Sequence, residues 1–306
     1  MNVDALLREL AAKYETPSFI EGDPSWWMHQ VSGALNQEAT AFVAQALAYG
    51  SRAQFMPKIG WLLERAGGDM DRWVRSGAFK ADLPSGSTAC YYRLYTVADV
   101  HAFLESYRRL LDGYGTLGAY VGSATGIEAV DAITRWFGDT APVPQDTKSA
   151  CKRVCMFLRW MVRDGSPVDL GLWAPQIDRR TLIMPMDTHV LQQSVRLGLL
   201  SSKTASMAAA QRLTARLAQI FPDDPLKGDF ALFGEGVSAG SGLDFCCYVA
   251  KVLKYSYFRS SCGFVMAAGS RASSSFSLVM RPCSSTRSYT LPPVSRASLA
   301  TLVEAL

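Results

Sequence analysis

The chain has no run of eighteen apolar residues. A helix that spans a bilayer needs about that many, so no membrane span is expected. Its first residues, MNVDALLRELAAKY, read as an amphipathic helix carrying acids. They lack the basic start and apolar centre of a secretory signal. There are only three histidines, His29, His101 and His189, and they lie too far apart for a metal motif. Seven cysteines is an odd count, with no regular spacing, no C-x-x-C and no Cys/His quartet. Cys151 and Cys155 are one helical turn apart, and Cys246 and Cys247 are adjacent. Zinc, iron–sulfur and disulfide-framework classes are therefore not expected, and the cysteine usage suits a reducing, cytoplasmic setting. G-x-G-x-x-G, Walker and βαβ patterns are absent too, which removes the common nucleotide-cofactor folds. No metal and no cofactor is expected.

What the chain does have, up to about residue 240, is helical periodicity. Ala39 to Tyr49 is an apolar-rich helix stopped by Gly50, and Arg52 to Arg65 is a second with Pro57 inside it and Gly67-Gly68 as its stop. Thr96-Val-Ala-Asp99 has the form of a capping box opening a helix through Leu111. Gly126 to Phe137 places Ile127, Val130, Ile133 and Trp136-Phe137 on one side, and the breaker Ala141-Pro-Val-Pro144 ends that segment. Thr204 to Ile220 and Leu226 to Phe233 complete the set, with short β pieces near Tyr91–Tyr95. The expected fold class is all-α. Trp26-Trp27 has two readings, a stacking platform for bases or packed core.

The stretch 148–190 carries the chemistry. A helix is expected over Thr147 to Arg163. At about 100° per residue, Val154, Phe157, Leu158 and Met161 share one side, and Lys148, Lys152, Arg159 and Arg163 share the other. This basic stripe is either a solvated face or a surface that meets phosphates with one lysine poised for reaction. Arg153, Arg159 and Arg163 are the candidate phosphate contacts. Further on, Asp187 follows Pro185 and precedes Thr188-His189-Val190, the place of an N-cap. A capping carboxylate is rigidly held, which is also what a catalytic carboxylate needs.

Composition changes abruptly near residue 238. Residues 238–306 hold seven Lys/Arg, two acids and fifteen serines. The whole chain carries +4 and this tail +5, so residues 1–237 carry −1. Phe245 to Phe258 suits one more apolar helix, and beyond it the segment lacks periodicity and reads as disorder or as the product of an altered reading frame. The expected organisation is one helical domain over 1–237 followed by a Ser-rich basic tail.

The runs KRVCMFLRWMVR, PVDLGLW, PMDTHV and DPLKGDFALFGEGV, with the Ala48–Gln54 segment AYGSRAQ, are similar nearly word for word to a bacterial family of unknown function. That family resembles the helix-hairpin-helix DNA glycosylases, in style nearest the archaeal 8-oxoguanine glycosylases. The resemblance covers residues 1–237 and implies a two-lobed helical bundle. In that superfamily a lysine on the helix after the hairpin precedes a V/P-x-D-x-[HR]-[VI] segment. Lys152 and Pro185-Met-Asp187-Thr-His189-Val190 fill those places, while Lys148 matches the common K-T-A spelling, so either lysine qualifies. Where the hairpin usually reads L-P-G-V-G-x-K, this chain has Val143-Pro-Gln-Asp-Thr-Lys148. The two glycines that let backbone amides approach a phosphate are missing.

The chemistry so implied is DNA repair, with damaged duplex DNA as the partner. A base is flipped into a pocket, a neutral lysine amine attacks the anomeric carbon, and the resulting Schiff base allows β-elimination. Partial burial and the charges of Arg159 and Arg163 are expected to lower the lysine's ordinary pKa, and Asp187 to stabilise the oxocarbenium charge. His189 is either an assistant or a structural residue of the second helix. A catalytically silent nucleic-acid binder and a helical protein-interaction module stand as the other classes.

Overall fold

The computed structural model describes residues 2–202 and 204–240, and the pairs Val279–Met280 and Tyr289–Thr290. The chain divides into two units, Met1–Asp244 and Phe245–Leu306. In the second, Val279–Met280 and Tyr289–Thr290 pair antiparallel. The expected apolar helix at 245–258 and the expected disorder of the tail otherwise lie outside the described residues.

The first unit is almost wholly helical, as its periodicity requires. In chain order its helices are α1 (Val3–Tyr14), α2 (Trp26–His29), α3 (Ala34–Leu47), α4 (Arg52–Arg65), α5 (Met70–Ser76), α6 (Phe79–Asp82), α7 (Val97–Tyr114), α8 (Leu117–Val121), α9 (Gly126–Phe137), α10 (Lys152–Val162), α11 (Thr188–Arg196), α12 (Met207–Ala218) and α13 (Lys227–Gly240). A small hairpin, β1 (Cys90–Tyr92) and β2 (Tyr95–Thr96), leads into α7. The α7 capping box is present: Asp99 N donates to Thr96 Oγ1 at 3.1 Å, and Thr96 N donates to Asp99 Oδ2 at 2.7 Å. A second box, Thr125 with Glu128, opens α9. No helix among the described residues is long and apolar enough to cross a membrane.

Two departures from the sequence reading have local causes. Helix α3 begins at Ala34, five residues before the apolar run that signals it. Glu38, before that run, is buried, and its carboxylate accepts from Leu117 N, Gly118 N and Trp173 Nε1 at 2.9, 3.2 and 2.8 Å. Burial pushes the Glu38 carboxyl upward against those hydrogen bonds. Helix α10 begins only at Lys152, so Lys148 is not part of it. Asp146 accepts from Lys148 N at 2.9 Å, a side-chain turn that competes with helix, and Cys151 sits in the left-handed region at φ 44°. Trp27 packs on α4, where a Cβ at Gly60 would lie 2.7 Å from its ring.

The principal helix contacts fall into two groups. In one, α3 is central: it packs on α2, α4, α5 and α10, and α7 packs on α5, α8 and α9. In the other, α13 packs on α1 and α11. Helix α3 is buried on nearly every side from Glu38 to Leu47, with Glu38, Thr40 and Gln45 as the polar side chains among mostly apolar ones. The Phe42 ring holds its group together. It meets Phe103 of α7, Tyr107 of α7, Phe137 of α9 and Phe157 of α10 at centroid distances of 5.4, 4.9, 4.8 and 5.2 Å. On the other side, Gly234 of α13 lies where any Cβ would collide with the Tyr14 ring of α1.

Phe42→Ala empties the point where four helices meet. It is expected to cost about 3–5 kcal/mol, measured as a lower urea midpoint at unchanged m value. A loss below about 1 kcal/mol would mean that the cluster collapses to fill the space and does not organise the group.

Candidate active site

The connector after α9 delivers the chain to α10 with Lys152 at the first helical position and no side-chain cap on the helix. From there α10 runs inward, burying every residue from Val154 to Val162. The connector after α10 returns through Pro185 to Asp187, the N-cap of α11. The two carboxylate oxygens divide their work. Oδ1 accepts from Val190 N at 2.8 Å, and Oδ2 faces Lys152 Nζ at 3.4 Å. The Lys152 side chain is 35% exposed and that of Asp187 12%, so the pair stands at the mouth of a depression. That depression is a cleft of about 350 Å³. Phe19, Met156 and Phe233 supply apolar wall, Tyr49 and Gly50 form part of the rim, and Asp229 reaches it from α13.

The basic stripe on α10 does not face solvent. Arg159 and Arg163 are buried. Arg159 pairs with Asp169 at 3.2 Å and with Asp229; Arg163 pairs with Asp169, with Asp224 at 2.7 Å and with Glu15 at 2.6 Å. Their expected role as phosphate contacts is therefore corrected, because a buried guanidinium already matched by carboxylates has no donor face to offer a duplex. For the same reason they do not supply the uncompensated positive charge expected beside Lys152. Arg153 is half-buried: it donates to Ala46 O and to Tyr95 Oη (3.1 Å), and its guanidinium lies 5.3 Å from the Tyr49 ring centroid. It anchors the rim. Lys148, on the connector, is 92% exposed and pairs with Asp146 at 3.3 Å, and it does not line the cleft. His189 does line it, on the first turn of α11, with its ring set edge-on to Phe233 at 6.3 Å.

Asp229 had no role in the sequence reading. Three residues into α13 an acid looks like ordinary first-turn dipole stabilisation, and only its place within DPLKGDFALFG marked it. In the fold it is buried at the cleft lining. Burial is the largest influence and raises its carboxyl to about 6, with Asp187 pushing the same way, while Arg159 and Lys152 pull it down. Asp23 is the other acid that sequence missed: its Oδ1 accepts from Ser25 N and Oγ at 3.0 and 2.7 Å, and its Oδ2 faces Arg52 at 3.5 Å across the cleft wall. An amine, a held carboxylate and a buried acid raised above the usual carboxylate range meet at one cleft. They are equipped for nucleophilic attack with proton transfer.

A family model described as a protein of unknown function, DUF2400, matches residues 23–238. The chain belongs to the DUF2400 family. Neither the curated proteins nor the solved structures contain a match. The DUF2400 match takes in Lys152, Asp187 and Asp229 and so the whole cleft except Phe19.

Asp229 gives the DUF2400 chain a measurable pH signature. An acid whose folded pKa lies above its unfolded value, here about 6 against 3.8, binds its proton more tightly in the native state. Its contribution to stability is therefore greatest in acid, falls as pH rises from about 4 to about 6, and is constant above that. Asp229→Asn should remove this fall while leaving Arg159 paired with Asp169. Urea unfolding at intervals from pH 4.5 to 7.5 reads the difference, and parallel curves for the two proteins would refute the assignment.

Proposed function

We propose that this protein is a DNA repair glycosylase with lyase activity, in which Lys152 is the nucleophile and Asp187 its partner. The observation that carries the reading is the Lys152–Asp187 pair at the mouth of the cleft, with one oxygen of Asp187 locked by Val190 N and the other left facing the amine. The resemblance of KR-x-x-M-F-L-R-W and P-M-D-T-H-V to the helix-hairpin-helix glycosylases supports it, as does the order α9, connector, α10, which sets a helix bearing the lysine after the place of the hairpin. On this reading the two helix groups are the two lobes of that superfamily, and the cleft lies between them.

In the proposed reaction a damaged nucleotide leaves the stack and its sugar meets Lys152. The amine gives up its proton, with Asp187 Oδ2 the carboxylate at hand, and its lone pair forms a bond to C1′. The bond from C1′ to the base breaks, and the base departs with that electron pair and a proton. Asp187 offsets the positive charge that develops on the sugar during the exchange. Opening of the sugar ring gives a Schiff base between Nζ and C1′. Loss of a proton from C2′ then expels the 3′ phosphate, and water hydrolyses the imine to restore the lysine. Both reacting groups are held by helix ends, so the geometry is set before the substrate arrives.

Duplex DNA with a single abasic site, incubated with the full-length protein and borohydride, is expected to give a covalent adduct. Lys152→Ala should abolish it, and Lys148→Ala should leave it intact, because Lys148 lies outside the cleft. Asp187→Asn should slow release of a damaged base by about 100-fold or more while costing about 1 kcal/mol or less, since Asn caps a helix as well as Asp. Undiminished trapping by Lys152→Ala would place the amine elsewhere and overturn the reading.

A further inference from the structure

Four buried acids of this fold, Asp23, Asp169, Asp224 and Asp229, pair with arginines. Glu38 of α3 does not. It is 6% exposed and has no ion-pair partner among the described residues. Its charge reaches Arg75, but that guanidinium is committed elsewhere: Nε donates to both oxygens of Asp71, and Nη2 donates to Gly115 O at 2.5 Å. A carboxylate offers about four acceptor positions. Leu117 N occupies one on Oε1, and Gly118 N and Trp173 Nε1 occupy those of Oε2. One position on Oε1 stays open. A buried charge without a countercharge is costly, so the place where Glu38 meets solvent is informative.

Glu38 lines a second cavity, of about 370 Å³, which shares no residue with the cleft of Lys152. Its rim is apolar and exposed: Leu35 at the head of α3, Ala119 of α8 and Pro175 of the connector after α10. Gly118 brings the polar groups together. Glu38 Oε2 accepts from its N, and a Cβ on it would lie 3.0 Å from Gln176 Nε2. Gln176 lines the cavity and its side chain makes no hydrogen bond among the described residues, so its carbonyl oxygen is free to accept. Thr116 Oγ1, also in the lining, accepts from Ala119 N at 2.8 Å and keeps a second lone pair. The cavity thus presents acceptors on Glu38, Gln176 and Thr116, one negative charge, and no cation in its lining.

We propose that this cavity is a binding site for a primary ammonium group carried on a short alkyl stem. An ammonium has three donors and no acceptor, which matches the open acceptors of Glu38, Gln176 and Thr116 one for one. It supplies the countercharge that Glu38 lacks, and hydrogen bonds between charged partners are the strong ones. The stem lies along Leu35 and Pro175, as alkyl chains with a charged end do on apolar surface. A guanidinium fits less well, because its five donors exceed the acceptors on offer. A free alkylamine and the side chain of a lysine on another protein share this chemistry. The site is separate from the Lys152 cleft and does not depend on the reaction proposed there.

The test is calorimetric titration of the full-length protein with n-pentylammonium, with n-pentanol as its neutral counterpart and with Nα-acetyl-lysine methylamide. Pentylammonium should bind saturably at one site. Pentanol, with one donor and no charge, should bind about tenfold more weakly or worse. Ala119→Trp and Leu35→Trp are exposed rim changes on different helices that block the mouth and leave Glu38 in place. Each should melt like wild type and lower the affinity for pentylammonium by about tenfold or more. Gln176→Ala should weaken the ammonium and leave the alcohol unchanged. Tighter binding of the lysine derivative than of pentylammonium assigns the site to a lysine side chain; equal or weaker binding assigns it to a free amine. No saturable binding of pentylammonium, or pentanol binding as tightly, would overturn the proposal. Pentylammonium affinity unchanged in both tryptophan variants would overturn it too, because the amine would then sit elsewhere, as among the carboxylates of the Lys152 cleft.

Discussion

Two arginines buried among carboxylates hold the architecture together. Arg159 lies near the end of α10 and Arg163 is its C-cap, and between them they bind Asp169, Asp229, Asp224 and Glu15. These acids come from the end of α1, the connector after α10, the turn before α13 and α13 itself, so one pair of guanidinium forks ties four separated segments to one helix. Removing such groups from water is costly, and the arrangement is stable only as a set. Burial lifts Asp169 and Asp229 while the arginines pull them back, and the carboxylates in turn push Arg163 further up.

That network also explains where the cleft is. It fixes α13 against α10, and Asp229 thereby belongs both to the buried set and to the cleft lining. Helix α10 has two functions along its length. Its middle and end are sunk in protein, and only its first turn emerges, carrying Lys152. An amine placed there has a rigid stem below it and solvent access above it. The partner, Asp187, is equally fixed because half of its carboxylate is committed to starting α11. Side chains on helix ends braced by a buried network keep their geometry far better than side chains on a free loop.

The hairpin follows the same logic at the rim. Its tyrosines are tied to Tyr49 and to α4, and Arg153, the residue after Lys152, reaches Tyr95. Cleft floor, the Lys152–Asp187 pair and rim are thus coupled through neighbouring residues of one helix.

Helix positions were legible in the sequence because they rest on local rules. Apolar periodicity located α4 and α9, the Thr96/Asp99 box located α7, and the N-cap role of Asp187 was read from its neighbours alone. Family membership, too, lies in the linear order of residues. Tertiary structure decided what the polar residues do. A basic stripe looks the same in sequence whether water or carboxylates face it, and the partners of Arg159 and Arg163 lie up to 148 residues away. The same holds for Glu38, whose partners are 79 to 135 residues distant, and for Asp229, which only the approach of α10 and α13 enclosed. The choice between Lys148 and Lys152 as the lysine of the cleft also fell to the fold, since a side-chain turn at Asp146 and a left-handed Cys151 put one outside the helix and the other at its head. Local patterns encode where the backbone turns and which face is apolar. Charge partners come from distant segments, and burial is a property of the packed whole.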